Sequence, residues 1–429
     1  MSGKQALSHR QIEYILNKRS VEEVSTRLLP NKTNIPRPFT PSAKVNTQRT
    51  ERHWRELGVE RHPDLTDEWT LAHLNSFQGN IENCIGTVKL PIGIVGPLRV
   101  NGLFASGDYP IPLATTEAAL VASYHRGAAL LSACGGCSAA LQMQLITRSP
   151  AFTFRSVIES GQFVAWAIPK FETLKATAEA TSNYARLQDV GVTIEGNHVY
   201  LKFEFTTGDA SGQNMVTIAT QAICDYIKSQ YPGAIRQIYI EGNMSGDKKA
   251  SSHAFSSTRG KKVTADCIIS ADLLKKYLHV TPAQMLEYWT VSAIGGVLSG
   301  TMGVHGHFAN GLAALYIATG QDAACVAEST MGVTRFDVTE SNDLYTSVTL
   351  PGIMVGTVGG GTGLPSQNAC LELMNLSGKG KSAALAEVCA GLLLAGELSI
   401  IAALASGDFT KAHHKLARGT PHNKPPINK

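Results

Sequence analysis

The stretch Val388-Cys-Ala-Gly-Leu-Leu-Leu-Ala-Gly-Glu-Leu-Ser-Ile-Ile-Ala-Ala-Leu404 is the most apolar part of this chain. A helix that spans a membrane needs about 20 mostly apolar residues. This run falls short of that length and carries Glu397 in its middle. We therefore predict a long helix from about Lys381 to Ser406 that is buried in the core of a soluble protein.

The length and composition of the chain fit a globular protein with two or three domains. It has 429 residues, of which 43% are apolar, and this is enough for a large core. The net charge of +4 is mild and suits an anionic small-molecule substrate. No basic block with interleaved aromatic residues is present, which argues against a nucleic-acid partner. The first ten residues have no apolar core and so do not resemble a signal peptide.

The eight cysteines show no spacing typical of a disulfide framework. Cys134-Gly-Gly-Cys137 is the only Cys-x-x-Cys pair, and a zinc site would need two further ligands at suitable spacing. Packed thiols are the simpler interpretation, because free cysteine is usually buried. Reduced thiols favour a cytoplasmic protein, and the sequence predicts no metal centre.

The chain divides into segments of different character. Residues 1–58 are polar and charged, with a predicted helix at 11–28 followed by a proline-rich linker. Residues 152–240 alternate strand-like and helix-like pieces and predict a compact α+β module inserted into the main domain. A strand at 345–355 leads into a glycine-rich loop. After Gly407 comes a basic, proline-rich tail that we expect to be mobile.

Two lysines stand beside an aspartate in Gly246-Asp247-Lys248-Lys249. An ammonium held near a carboxylate stays protonated and can face a developing oxyanion, although Lys-Lys pairs are usually solvated surface. Asp322 interrupts a region of small apolar residues. It either caps a helix or, since a buried carboxylate needs a partner, pairs with Lys248.

Glu117 and His413 complete the acid–base candidates. Pro112-Leu-Ala-Thr-Thr-Glu117 predicts the start of a helix. Glu117 is then either a first-turn glutamate that interacts with the helix dipole or a partly buried acid that keeps its proton. His413 follows a glycine hinge and is either solvent-exposed or a general acid on a flap. Together with Lys248 and Asp322, these residues suggest a reductase that acts on an activated carbonyl.

Two loops are rich in glycine and expose their backbone: Gly208-Asp-Ala-Ser-Gly-Gln-Asn-Met215 and Gly359-Gly-Gly-Thr-Gly363. Either loop could bring a phosphate or a nicotinamide close to the main chain. Neither has the G-x-G-x-x-G pattern that follows a strand in dinucleotide-binding folds. The sequence therefore does not support a Rossmann domain.

A series of segments resembles the soluble catalytic part of class I 3-hydroxy-3-methylglutaryl-coenzyme A (HMG-CoA) reductases. The segments occur in family order over about residues 80–418, so the set is far more specific than any single motif. They are Glu82-Asn-Cys-Ile-Gly86 with Pro91-Ile-Gly-Ile-Val-Gly-Pro-Leu98, Pro112-Leu-Ala-Thr-Thr-Glu117, Gly208-Asp-Ala-Ser-Gly-Gln-Asn-Met215, Asp247-Lys-Lys249, Gly320-Gln-Asp-Ala-Ala324, Gly356-Thr-Val-Gly-Gly-Gly-Thr362 and Leu394-Ala-Gly-Glu-Leu-Ser399.

The resemblance implies an α+β fold in which a large domain binds the acyl-CoA around a central helix. It assigns residues 59–149 and 239–406 to that domain and residues 150–238 to an inserted ferredoxin-like domain that binds the dinucleotide. Residues 1–58 would form an N-terminal helical segment and residues 407–429 a mobile flap and tail. The resemblance also implies a homodimer, or a dimer of dimers that makes a homotetramer, with active sites at the subunit interface. No membrane partner is expected.

The catalytic set of the family falls on Glu117, Lys248, Asp322 and His413. The implied reaction is the four-electron reduction of HMG-CoA to mevalonate and CoA with two NADPH. Protonated Lys248 would stabilise the oxyanion of the hemithioacetal, and His413 would protonate the departing CoA thiolate. Glu117 would donate the proton in the second reduction, and Asp322 would link it to Lys248.

Other contacts carry over from the resemblance. The implied substrate-side residues are Glu82, Asn83, Arg126, Arg148, Asp247, Lys249 and Asn310. The implied cofactor-side residues are Ser182, Asn183, Asp209, Asn214, Gly359, Gly360, Gly361 and Arg418. Arg126 fits a CoA phosphate. Arg418 fits the 2′-phosphate of NADP, because a guanidinium can bind a dianion through two hydrogen bonds, and this favours NADPH.

Three positions depart from the family pattern. Glu241 stands where a small hydroxyl residue faces the distal carboxylate of the substrate, and Val291 stands where a lysine binds that carboxylate. Asn183 stands where an arginine is expected on the cofactor side. Because a glutamate would repel the distal carboxylate, the alternative is a reductase of the same chemistry that acts on another acyl thioester, on CoA or a carrier protein. A catalytically idle homologue is disfavoured, since all four catalytic positions are filled.

Overall fold

The structure of the protein is a computed structural model. It describes residues 10, 12–30, 32–33 and 35–407. The predicted site residues His413 and Arg418 lie outside the described residues. The chain separates into two compact units, residues 1–87 and residues 88–429, and each is described by itself.

Short capped helices build the first unit. They are α1 (Val21–Leu28), α2 (Thr47–Leu57) and α3 (Glu68–Ala72), followed by a 3₁₀ turn at Leu74–Phe77. The side chains of Ser20, Asn46 and Asp67 each accept a hydrogen bond from the backbone N–H three residues later. Each bond satisfies a donor that the first helical turn leaves free. The single helix predicted at 11–28 is wrong: residues 12–16 are helical, the chain turns, and a new helix begins after Ser20.

A ten-stranded sheet forms the frame of the second unit. Its strands are β1 (Ile92–Gly102), β2 (Ser106–Ala114), β3 (Cys137–Arg148), β4 (Ala151–Thr153), β5 (Arg186–Glu195), β6 (His198–Thr206), β7 (Gln237–Tyr239), β8 (Gly260–Ile269), β9 (Val333–Val338) and β10 (Leu344–Ile353). The neighbours run in the order β7-β4-β6-β3-β8-β10-β9, with β1 paired to β2 and β3, and β5 paired to β6. These strand pairs are antiparallel except for the short contact between β1 and β3. The predicted α+β class is confirmed.

Helices cover this sheet and fill the space beside it. They are α4 (Leu120–Ala133), α5 (Val157–Ala167), α6 (Phe171–Glu179), α7 (Gln213–Gln230), α8 (Ala271–Leu278), α9 (Pro282–Ser299), α10 (Phe308–Thr319), α11 (Val326–Ser329), α12 (Pro365–Leu373) and α13 (Ser382–Ala405). Single 3₁₀ turns occur at Ile168–Lys170, Ser252–Phe255, Ala323–Cys325 and Gly360–Gly363.

The segment from β4 to β7 has the β-α-β-β-α-β order of a ferredoxin-like module. Its strands lie in the order β7-β4-β6-β5, and each neighbouring pair is antiparallel. Alternate residues of β6, which are Val199, Leu201, Phe203 and Phe205, are at most 1% exposed. This is the pattern of a strand with one face on a core. The proposed domain boundaries themselves stay a prediction.

Helix α13 passes through the core of the second unit. It packs against α4 and against β3, β8 and β10. In the described part of the chain it is the one helix that is long and apolar enough to cross a membrane, but 83% of its apolar window is buried inside the protein. Protein side chains therefore surround this helix, as predicted for a helix in the core.

Two carboxylates on α13 are completely buried, and backbone N–H groups satisfy them. Glu387 accepts hydrogen bonds of 2.7–3.2 Å from residues 103–105 and from Leu141. Glu397 accepts hydrogen bonds of 2.7 and 2.9 Å from the N–H groups of residues 306–307. A buried charge needs such partners, so these two side chains fix the β1–β2 turn and the segment before α10 onto the central helix.

Glycine allows α4 to approach α13 closely. A Cβ atom on Gly127 of α4 would lie 1.8 Å from the backbone oxygen of Ala395. This distance is far below any van der Waals contact, and the obstacle is backbone rather than the end of a flexible side chain. Position 127 therefore requires glycine for packing.

Gly127→Ala should destabilise the fold by roughly 1–3 kcal/mol or more, because the added methyl group forces two packed helices apart. The measurement is the free energy of unfolding in urea. Gly161→Ala in α5 is the matched control, since its new methyl group would meet nothing within 4 Å. That variant should be unchanged or more stable by up to about 1 kcal/mol. Equal losses in both variants would contradict the packing argument.

Candidate active site

Lys248 and Asp322 form an ion pair. The Lys248 Nζ lies 2.8 Å from Asp322 Oδ2, and the two side chains are 43% and 40% exposed. The Asp322 Oδ1 accepts the Ala324 N–H at 3.0 Å and so caps a 3₁₀ turn. Both interpretations made from the sequence, a cap and a partner for Lys248, thus apply to one carboxylate. The structure brings these two predicted site residues together.

The ion pair stabilises both charges. The hydrogen bond to Asp322 raises the pKa of Lys248 above its ordinary value. Burial opposes the ionisation of Asp322, but hydrogen bonds from Lys248 and the Ala324 N–H outweigh it and hold the pKa of that carboxyl below its ordinary value. The amine therefore stays protonated at neutral pH, as a group that faces an oxyanion must.

The backbone of Lys248 has an uncommon conformation. Its φ is +58°, in the left-handed region that residues other than glycine seldom adopt. Its N–H donates to Glu328 Oε1 at 3.2 Å. A strained residue persists only where its surroundings hold it, so Glu328 positions Lys248. Sequence reasoning missed Glu328. Its only signal in the sequence is that it is a single acidic residue shortly after Asp322.

Two nearly buried arginines hold three carboxylates next to this ion pair. Arg148 Nη1 lies 3.1 Å from Asp247 and 3.2 Å from Glu241. Arg259 contacts Asp247 and lies 3.0 Å from Glu328. Burial opposes the ionisation of Asp247, but Arg259 and Arg148 outweigh it and hold its pKa below the ordinary value. For Glu328 burial prevails over Arg259 and raises the pKa.

The two glycine-rich loops lie side by side next to the ion pair. A Cβ atom on Gly356 would lie 2.6 Å from the Ser211 backbone nitrogen, so the loops 208–215 and 356–363 are in contact. Gln321 precedes the paired aspartate, and its amide group exchanges hydrogen bonds of 2.9 and 3.0 Å with the Gly356 backbone. The segment Gln321-Asp322 therefore connects the loop 356–363, and through it the loop 208–215, to the Lys248 amine.

Parts of these loops are open to a ligand. Gly359 and Gly360 have φ values of +76° and +55° and nothing within 4 Å of an added Cβ atom. Asn214 is exposed in the first turn of α7, the helix end that favours anions. Gly361, in contrast, packs on Gly320, whose oxygen would lie 2.6 Å from an added Cβ atom. The open backbone at Gly359 and Gly360 and the first turn of α7 at Asn214 fit the phosphates of a dinucleotide.

Asp209 caps the central helix. Its carboxylate accepts the Gly380 N–H at 2.7 Å and the Ser382 N–H at 3.2 Å, where α13 begins. These bonds hold its pKa below the ordinary value although burial opposes ionisation. Each carboxylate oxygen of Asp209 has a further lone pair that can accept a hydrogen bond from a ligand. The predicted contact of Asp209 with a cofactor stays a prediction.

Arg186 is a cation that sequence reasoning missed on the cofactor side. Its guanidinium donates to the backbone oxygens of Asn183 at 3.0 Å and Ala185 at 2.7 Å. Ser182 Oγ accepts the Tyr184 N–H at 3.1 Å in the same loop. A positive charge thus stands beside Asn183, the position where an arginine was expected.

Glu117 lies on a loop, and the prediction that it begins a helix is wrong. Helix α4 begins at Leu120, after Ala119 with a φ of +69° and no capping side chain. Thr115 Oγ1 accepts the Glu117 N–H at 3.0 Å and closes a turn before the helix starts. Both carboxylate oxygens of Glu117 accept from Asn310 Nδ2, at 2.9 and 3.1 Å.

A cavity of about 440 Å³ lies beside Glu117. Asn310, Arg126 and His307 line it together with apolar residues of α4 and α13. Arg126 donates to the backbone oxygen of Ser399 at 2.7 Å. The structure therefore brings together Glu117, Asn310 and Arg126, which were predicted to face the substrate.

His307 lines this cavity and Glu397 is buried behind it, and sequence reasoning missed this pair. Glu397 Oε1 lies 3.3 Å from His307 Nδ1, and the Tyr124 ring stacks on the imidazole at 5.1 Å. His307 Nε2 has no hydrogen-bond partner among the described residues. A buried carboxylate thus orients the ring. For Glu397, the signal in the sequence was its position as a single acid inside an apolar helix.

Helix α10 separates the two groups of predicted catalytic residues. Asn310, which binds Glu117, is in its first turn, and Asp322, which binds Lys248, follows its C-terminal end. At 1.5 Å per residue, about 14 Å of helix lies between them. Within residues 35–407, no hydrogen bond or ion pair joins Glu117 to Lys248 or Asp322. The link expected through Asp322 is therefore absent within one described chain.

Lys249, Glu82 and Asn83 are the remaining predicted substrate residues. Lys249 Nζ donates to the Asp247 backbone oxygen at 3.0 Å, next to the ion pair. Glu82 and Asn83 belong to the first unit, where Asn83 Oδ1 accepts the Ser42 N–H at 2.7 Å. Their predicted roles stay predictions.

The eight cysteines are free thiols. Burial raises the pKa of Cys137 to about 12, whereas Cys134 is half-buried and hydrogen-bonded to Cys267. In the part of the chain that the structure describes, no three His, Cys, Asp or Glu side chains are grouped so that they could hold a metal ion. The absence of a metal centre stays a prediction.

The chain matches the family model described as hydroxymethylglutaryl-coenzyme A reductase over residues 49–418. A relative from Aeropyrum pernix named 3-hydroxy-3-methylglutaryl-coenzyme A reductase is 44% identical over 375 residues, which cover 85% of this chain and 89% of the relative. A relative of the same name from Methanocaldococcus jannaschii is 40% identical over 348 residues, which cover 80% and 86%.

A solved structure has a similar fold. It is the class II 3-hydroxy-3-methylglutaryl-CoA reductase from Streptococcus pneumoniae bound to NADPH in open conformations. Its TM-score is 0.62 at 19% identity, and the match covers 84% of this chain and 83% of that one. At this identity the likeness shows the fold alone.

Asp322→Asn should lower the pKa of Lys248, because it removes the hydrogen bond and the charge that favour the ammonium form. At a fixed alkaline pH, a larger fraction of the amine is then neutral. Competitive labelling with an amine-acylating reagent, read by mass spectrometry across pH 7–11, should show faster modification of Lys248. The exposed Lys228 should label at the same rate in both proteins. An unchanged profile for Lys248 would refute the coupling.

Proposed function

We infer, because this chain belongs to the 3-hydroxy-3-methylglutaryl-coenzyme A (HMG-CoA) reductase family, that it reduces HMG-CoA to mevalonate and CoA. Relatives that carry this name come from archaea and from the plant Nicotiana sylvestris. In the structure, the observation that carries the inference is the Lys248–Asp322 pair, which holds a protonated amine beside two loops with open backbone. Nothing among the described contacts favours another acyl thioester.

The reductant is NADPH, which supplies the two hydrides. We assign its binding to the side of the chain that carries the ferredoxin-like module. The open backbone at Gly359 and Gly360 and the first turn of α7 at Asn214 fit its phosphates. Arg186 adds a guanidinium next to Asn183. Arg418, outside the described residues, is the second candidate for a phosphate contact.

Lys248 is proposed to stabilise the oxyanion that forms when the thioester carbonyl accepts hydride. The amine is charged because of Asp322, and its main chain is fixed by Glu328 and by the arginines that hold Asp247. A preorganised cation needs little rearrangement when charge develops, and removing one such group typically costs 10²–10³ in kcat.

Glu117 and His413 are proposed to move the protons. Glu117 would donate to the aldehyde oxygen in the second reduction, with Asn310 fixing its orientation through both carboxylate oxygens. His413 would protonate the CoA thiolate that leaves after the first reduction. Arg126 beside the same cavity would contact a CoA phosphate.

We propose that two chains complete one active site. Glu117 and Lys248 stand at opposite ends of α10 in a single chain, yet in the proposed reaction both must reach the oxygen of one carbonyl group. Helix α9 offers a surface for assembly, since Val291, Ile294, Val297 and Leu298 are 57–83% exposed on it, and exposed apolar patches of this kind mark contact sites. We favour a homodimer or a dimer of dimers, located in the cytoplasm.

The reaction predicts a defined stoichiometry. Purified protein should oxidise two NADPH per HMG-CoA and release one free thiol, measured by absorbance at 340 nm and by a thiol reagent. Mevaldehyde, the aldehyde intermediate, is the control substrate and should consume one NADPH without thiol release. Absence of NADPH oxidation with HMG-CoA, in protein that reduces mevaldehyde or another acyl-CoA, would overturn the assigned substrate.

Mixing two inactive variants tests the shared site. Glu117→Gln and Lys248→Ala should each be inactive alone, but subunits exchanged between them should form mixed dimers with one intact site. Random exchange should recover about a quarter of the wild-type activity. A covalently linked dimer that carries both substitutions in the same half is the control. Each of its two sites then lacks either Glu117 or Lys248, so it should be inactive, whereas sites built within one chain would leave about half of the wild-type activity. Recovery of nothing after verified exchange would place all catalytic groups in one chain.

A further inference from the structure

We propose that Arg148 and Glu241 form an exchangeable carboxylate site, in which Glu241 occupies Arg148 until the distal carboxylate of the acyl group displaces it. Glu241 is then a residue that determines specificity, and it weakens the binding of this substrate. The proposal rests on the function proposed above and adds a competition between two carboxylates to it.

Arg148 has unused binding capacity although it is buried. Its side chain is 9% exposed, and its Nη1 is shared between Glu241 and Asp247. Its Nε is buried and has no hydrogen-bond partner among the described residues. A buried donor without a partner points to a ligand that satisfies it. Guanidinium groups pair best with carboxylates, which accept two parallel hydrogen bonds.

Carboxylates outnumber guanidiniums around Arg148. Two guanidiniums, Arg148 and Arg259, face three carboxylates, Glu241, Asp247 and Glu328. Burial raises the pKa of Glu328, which favours the neutral form of that carboxyl. Glu241 and Asp247 both contact Arg148 Nη1, so a substrate carboxylate can bind there only if one of them leaves.

Glu241 is the resident carboxylate that can leave. Asp247 contacts both arginines, and Glu328 is 6% exposed and holds the Lys248 N–H. Glu241 is 24% exposed and contacts one arginine at 3.2 Å. Its only other contact is the Ser149 N–H at 3.4 Å, and its Oε1 has no hydrogen-bond partner in the described structure.

The main chain next to Glu241 is held in place, because the Gly242 N–H donates to the Ser149 backbone oxygen at 2.6 Å. We expect the exchange to occur by rotation of the Glu241 side chain toward solvent, which would remove its contact with Arg148 and leave the contact of Asp247 in place. The vacated space lies next to Asp247, and thus next to the amine of Lys248 that the reaction needs.

Glu241→Ser and Glu241→Gln test the competition. Both should lower the KM for HMG-CoA by about fivefold to tenfold and leave kcat and the KM for NADPH within about twofold. The glutamine variant keeps the size of the side chain and removes its charge, so it separates repulsion from bulk. The inhibition constant of free 3-hydroxy-3-methylglutarate should fall by the same factor, because this acid carries the same distal carboxylate.

Two controls isolate the carboxylate. HMG-CoA whose distal carboxyl is a methyl ester should show the same KM with wild type and both variants. Glu340→Ser removes a charge from an exposed position remote in sequence from Arg148 and should leave the KM for HMG-CoA unchanged. Melting temperatures of all variants establish that they are folded.

The possible outcomes separate the two proposals. If wild-type protein does not oxidise NADPH with HMG-CoA, the proposed function fails. If wild-type protein is active and the KM for HMG-CoA is unchanged or raised in both folded Glu241 variants, only the competition fails. A fall in KM that is equally large for the methyl ester would also overturn it, because the effect would then not involve the distal carboxylate.

Discussion

The structure depends on two carboxylates that are buried inside an apolar helix. Glu387 and Glu397 of α13 have no access to water and must find hydrogen-bond donors within the protein. They take backbone N–H groups from residues 103–105 and 306–307. The central helix therefore does more than fill the core, because it holds two distant parts of the chain at defined positions along its length.

The position of α10 follows from the second of these carboxylates. Glu397 fixes the segment just before α10, so that Asn310 and His307 face the cavity beside Glu117. The other end of the helix leads directly to Asp322. Helix α10 thus has Asn310 and its partner Glu117 at one end and Asp322 and its partner Lys248 at the other. This separation is the physical reason for the proposal that two chains complete one active site.

The surroundings of Lys248 combine an uncommon backbone conformation with a cluster of charged side chains. Lys248 is held in a left-handed conformation by Glu328, and its neighbour Asp247 is held by two arginines. Such a network is rigid because each charged group has more than one partner. Glu241 is the exception, with a single weak ion pair. The departure from the family pattern that first suggested another substrate is thus also the loosest part of the network.

The amino-acid sequence by itself determined the local features: a buried helix around Glu397, the α+β class, the glycine-rich loops and the residues able to do acid–base chemistry. The α+β class of the whole chain was implied by the family resemblance of its motifs, and the other features follow from periodicity and composition, which are properties of neighbouring residues. It also indicated Asp322 as a partner for Lys248. Only the tertiary structure decided that Glu117 lies before its helix and that Asp209 caps α13. It also decided that Glu328 contacts Lys248, that Arg186 lies beside Asn183 and that His307 lines the cavity. These depend on contacts between residues far apart in the chain, and hydrogen-bond geometry in three dimensions is not encoded in any single local pattern.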